Sequence, residues 1–136
     1  MTTPIVEQRT YGLRRRVSAP YAEAVEQVRA ALKDQGFGVL TEIDVKATLK
    51  AKLDAEMAPY IILGACNPPL AHRAISTDPE VGMLLPCNVV VREEGGAVFV
   101  EAMDPEAAMG IVQNQAVHEV AMEAKERLAK ALAALP

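Results

Sequence analysis

Two strand-like runs joined by Glu93-Glu94-Gly95-Gly96 constrain this chain more than any other feature. Residues 87–92 carry Val89-Val90-Val91, and residues 97–103 return the pattern. A connection that short, with paired glycines, admits only an antiparallel hairpin. Elsewhere strand-like and helix-like segments alternate, an order that by itself favours a parallel sheet. The hairpin and the shortness of the middle helices argue the other way. They predict an α+β fold, a mainly antiparallel five-stranded sheet with two long helices on one face. The frame is β-α-β4-α with short inserted helices, and a homodimer could cover the open face.

In chain order, residues 10–17 read as the first strand, with Tyr11, Leu13 and Val17 on one face and Arg14 and Arg16 on the other. The alternation places Arg15 on the apolar side. Either it lies at the sheet edge and snorkels to water, the commoner case, or it is an inward cation awaiting an anion. Ser18 is expected to cap the next helix, with Pro20 in its first turn. Tyr21, Ala24, Val25, Val28 and Leu32 follow the helical period, and Gly36 supplies a left-handed stop.

Residues 38–45 form a second strand on which Glu42 and Asp44 share a face. Such a pair can bind a cation or share a proton, although a solvated sheet face is the usual meaning. A short helix over 46–53 follows. Residues 60–63 form a brief apolar strand that Gly64 is expected to end. Asn67 then caps a helix that Pro68 opens, and Asp78-Pro79-Glu80 and Asp104-Pro105 repeat that grammar. Asn114 caps the last helix, whose apolar stripe runs from Val117 through Val120, Ala124 and Leu128 to Leu135.

The 136 residues suit a single domain, 1–136, with 1–9 as a loose lead-in. Hydrophobic residues at 51% can fill a core, but 4% aromatic content and no Trp leave it to Val, Leu, Ile, Ala and Met. A formal net charge of -4 argues against a nucleic-acid partner, which needs a clustered basic surface. No stretch has the apolar length of a membrane span, and the first residues lack the pattern of a secretory signal. The expected compartment is the cytoplasm, where two cysteines are thiols more often than a disulfide.

Three segments, in order, are similar to the hallmark motifs of the domain of unknown function 302 family. They are Gly36-Phe37-Gly38-Val39-Leu40-Thr41-Glu42-Ile43-Asp44-Val45-Lys46, Leu63-Gly64-Ala65-Cys66-Asn67-Pro68 and Leu84-Leu85-Pro86-Cys87-Asn88-Val89-Val90-Val91. The resemblance runs from about Arg14 to the C-terminus. It implies an α+β fold with a largely antiparallel sheet, small bacterial or archaeal proteins, and frequent homodimers. It carries no activity, so it supplies no catalytic residues and no cofactor.

Chemistry in this sequence centres on two Cys-Asn dipeptides. Cys66 precedes a helix start, where free N–H groups and the helix dipole would favour a thiolate or a small anion. Cys87 begins a neighbouring strand. Cys66, Asn67, Cys87 and Asn88, with Glu42 nearby, are therefore the candidate ligand-binding residues. Cys66, Cys87 and His72 are the candidate metal ligands, although their spacing matches no usual zinc pattern. No CxxC, Walker loop, GxGxxG, HExxH or GxSxG occurs.

Three readings stay open: a small homodimeric binding domain with a ligand or metal near the cysteines; a thiol-dependent redox or transfer enzyme using Cys66; and an interaction dimer whose cysteines only pack.

Overall fold

The computed structural model describes residues 5–136. Among them lies an α+β arrangement with one antiparallel sheet. Its strand order is β1 (Glu7–Gln8), β2 (Gly12–Val17), β6 (Ala97–Met103), β5 (Cys87–Glu94), β4 (Tyr60–Cys66) and β3 (Gly38–Asp44). Five of these are the expected strands. The sixth, β1, falls in the segment read as a lead-in, where Glu7 and Gln8 pair with Arg14 and Leu13. Two residues carry no alternation by which a sequence could announce them. The first four residues of that lead-in lie outside the described residues.

The hairpin closes as its glycines require. Glu94 faces Ala97, and Gly95 and Gly96 have φ of 56° and 80°, the left-handed pair that a two-residue turn uses. Along the central strands every second residue turns to one face and is buried: Leu63, Val89, Val91 and Val100 are inaccessible to solvent. Helices α1 (Tyr21–Asp34) and α5 (Gln115–Ala133) cover that face with Val28, Leu32, Leu128 and Leu132. The short helices lie elsewhere. α3 (Pro68–Thr77), a 3-10 turn (Pro79–Leu84) and α4 (Pro105–Met109) wrap the N-terminal half of α5 and build a second core from Leu70, Val81, Met109, Val117 and Val120.

Local chemistry sets most element ends. After α1, Gly36 (φ 84°) lets its N–H reach Lys33 O at 3.0 Å and the Phe37 N–H reach Leu32 O at 2.9 Å. That is a Schellman stop, and Phe37 seals it by packing into the core. Asp44 caps α2 (Val45–Leu53) by accepting from the Ala47 N–H at 2.9 Å. Asn67, Asp78, Asp104 and Asn114 cap the segments that follow them. Ser18 does not cap α1. Pro20, extended at φ −58° and ψ 154°, is the residue before the helix, which leaves Ser18 too far upstream, and no side chain takes the role.

Two further expectations need correction. Gly64 does not end its strand: β4 continues to Cys66, with Gly64 between Thr41 on β3 and Asn88 on β5. Arg15 neither snorkels at an edge nor awaits an anion. It points to the helix face from the second strand, where its Nη1 donates to Leu132 O (2.6 Å), Ala133 O (3.2 Å) and Leu135 O at the end of α5. A helix C-terminus carries partial negative charge, so its carbonyls serve as the acceptor.

The face opposite the long helices is covered partly by arginine. The guanidinium groups of Arg14 and Arg92 lie 5.0 and 5.1 Å from the Phe99 ring centre, and Arg92 is held by Glu101 at 2.5 Å. Asp104 ties the short helices to this frame, accepting from Gln8 Nε2 (2.9 Å) and pairing with Lys125 (3.0 Å). Burial pushes its carboxyl up, yet Lys125, Gln8 and the Glu106 N–H hold it below its usual value.

Candidate functional site

The two cores meet incompletely. Between the ends of β4 and β5 and the helices α3 and α5 lies a cavity of about 330 Å³. Phe37 and Ala65 line it from the first core, and Leu70, Met109 and Val120 from the second. Exposed Leu40 and Ile75 stand at its rim. Cys66 and Cys87 both contribute to its wall: Cys87 faces Ala65 across the ladder, and Cys66 is the last residue of β4, where the chain turns into α3.

Each predicted site residue now has a place. Asn67 also lines the cavity, but its amide is already engaged: Oδ1 accepts from the Leu70 N–H (3.3 Å) and Nδ2 donates to Gln35 O (3.4 Å). It joins the end of α1 to the start of α3. Asn88 alternates to the opposite face of the sheet, into a second pocket of about 420 Å³ with Tyr60 and Arg92. The two dipeptides therefore bring both cysteines to one cavity and send the amides apart. Glu42 is not brought to the cavity. It faces Leu63 on the side of α1, where Arg29 Nη2 holds it at 2.7 Å, and Asp44 beside it is engaged as the α2 cap.

His72 is exposed and lines a different depression with Arg73 and Glu119. Among the described residues no group of three or more His, Cys, Asp or Glu side chains is placed to hold a metal ion. Cys66, Cys87 and His72 are thus not assembled as ligands. His118 is held at the Val112 carbonyl (2.5 Å).

The anion-friendly helix start expected at Asn67 is absent for a plain reason. Pro68 and Pro69 have no N–H, and the first available one, on Leu70, is taken by Asn67. That signal was in the sequence. The apolar lining was not legible in the same way, since stripe residues such as Val120 look alike whether they face a packed core or a gap.

Burial pushes the Cys87 thiol from 9.0 up to about 11, and Cys66 nearby adds to the effect. At neutral pH Cys87 is therefore a neutral, weakly nucleophilic thiol. The linkage has a definite sign. Below 9.0 neither folded nor unfolded chain ionises this group. Between 9.0 and about 11 the unfolded chain ionises first, and stability falls. Urea unfolding of wild type should lose about 2 kcal/mol more than Cys87→Ala between pH 8 and pH 11. Parallel losses in the two proteins would contradict the raised value.

A six-stranded antiparallel sheet with two long helices on one face and short helices wrapped about one of them defines an α+β protein with a seam cavity. The chain belongs to the family described as Domain of unknown function DUF302, whose model matches residues 13–135. It is similar to the crystal structure of an uncharacterized conserved DUF302 protein from Bacillus stearothermophilus. The two share 31% sequence identity and a TM-score of 0.88, over 94% of this chain and 100% of that one. No curated protein matches the chain. Among the described residues, no helix is long and apolar enough to cross a membrane.

Proposed function

We propose that this chain, a single domain over residues 1–136, is a small-molecule binding protein whose site is the seam cavity beside Cys66 and Cys87. The observation that carries the reading is the cavity's lining: Phe37, Leu70, Met109 and Val120 stand among side chains none of which is charged, around an open space of about 330 Å³, within the range of ligand pockets. The thiol-enzyme reading, which uses Cys66, has less support, since no histidine or carboxylate lines the cavity to act as its base.

The test is a titration with 1-octanol followed by methyl NMR. In wild type, signals from Leu70 and Val120 should shift saturably. Ala71→Phe, which fills the cavity from the wall of α3, should abolish the shifts while the thermal midpoint stays close to wild type. An unshifted wild type, or a filled variant that still binds, would overturn the proposal.

The protein acts as a homodimer in this proposal, paired through β3. Among the described residues that strand pairs only with β4, and it exposes Leu40 and Ile43. Sedimentation should give twice the chain mass, and Leu40→Lys should reduce it to one chain. A monomeric wild type would remove this part. Two unlinked cysteines fit a bacterial cytoplasm, and the Bacillus relative fits a bacterial source.

A further inference from the structure

We infer that the seam cavity selects an uncharged, largely hydrocarbon molecule of roughly ten heavy atoms, taking about 30 Å³ for each, and rejects organic anions and cations of similar size. The inference rests on the cavity being a binding site, and narrows what it binds.

Four observations converge on it. No Asp, Glu, Lys, Arg or His contributes to the lining, so an ionic ligand would meet no counter-charge. The helix that starts at the cavity offers no free N–H, because two prolines and the Asn67 cap remove the donors that usually receive an anion. Asn67 itself has its oxygen and one of its two Nδ2 hydrogens engaged within the protein. Cys87 is half-buried in surroundings that keep its own thiol neutral, and an environment that disfavours a thiolate disfavours a ligand's carboxylate for the same reason.

What is left for recognition is shape and apolar contact. Phe37, Leu70, Met109 and Val120 provide the contact, and Thr41 and Cys66 bring a hydroxyl and a thiol to the wall, able to meet one polar atom of the ligand. A molecule with a hydrocarbon body and a single hydroxyl or carbonyl matches that wall. A fatty acid, an amine or a phosphate ester does not.

The experiment compares 1-octanol, octanoate and octylammonium at pH 7, probes of one chain length that differ in the charge of the head. Binding is read from the methyl signals of Leu70 and Val120. Octanol should bind at least ten-fold more tightly than either ion. Thr41→Val should weaken octanol two-fold to five-fold without changing its order relative to the ions. If octanoate or octylammonium matches octanol at these methyl groups, the selectivity is wrong, while the cavity stands as a site. If none of the three moves those signals, the site fails and this inference fails with it.

Discussion

Gly64→Ala is expected to destabilise the protein by about 1–3 kcal/mol, the opposite of what the exchange does in most strands. Glycine inside a strand usually costs about 0.5–1 kcal/mol relative to alanine, so alanine should help. Here a methyl group would stand 2.0 Å from Thr41 Oγ1 and 2.9 Å from Pro86 Cγ, against contacts that real Cβ atoms keep above 3.0 Å. Thr41 can rotate; Pro86 cannot. Thr41→Ala in the same chain should therefore recover part of the loss and leave the proline's share. Gly38→Ala, where nothing lies within 4 Å of the added atom, is the control and should be close to neutral. Urea midpoints of the four proteins decide it, and a stabilised Gly64→Ala would show that the close approach does not exist.

Arg15→Ala is expected to cost about 2–3 kcal/mol, because it removes a charged donor from three carbonyls and uncovers the end of the longest helix. A lysine places a charge nearby but lacks the planar fork, so Arg15→Lys should recover only part of the loss. Arg16→Ala, at the exposed neighbour, should stay within about 0.5 kcal/mol of wild type. The effect has a location as well as a size. Hydrogen exchange should quicken in the last turn of α5 more than in α1. Equal stability losses for Arg15→Ala and Arg16→Ala would contradict the assignment.

Both cases show where reading the sequence stops. Features decided by chemistry within about four residues were legible: the Gly95-Gly96 turn, the Gly36 stop, and the caps at Asn67, Asp78, Asp104 and Asn114. The long helices were legible from period alone, and with them the α+β frame. Gly64 was misread as a bend because its necessity comes from Thr41 and Pro86, residues 23 and 22 positions away. Arg15 was misread because its acceptors lie 117 to 120 positions along the chain. The strand β1 was missed because two residues show no period.

The candidate site divides in the same manner. That Cys66 and Cys87 meet follows from β4 and β5 being neighbours, which the sequence suggested. That their asparagines part follows from strand alternation on one side and a helix cap on the other. The cavity depends on how closely the two cores approach each other, a distance that no periodicity encodes. Two prolines at the start of α3 carry weight in both accounts. They mark the helix correctly, and they also remove the donors that a thiolate or anion there would need.

The most direct test of the central claim, that the seam cavity is a binding site, is to observe where a ligand's protons lie. With 1-octanol present, isotope-filtered NOEs should connect its chain to Leu70 on α3 and to Val120 on α5 in one complex. Both residues line the cavity. NOEs confined to exposed apolar residues such as Leu53, Met83 and Ile111, or none at all, would contradict it.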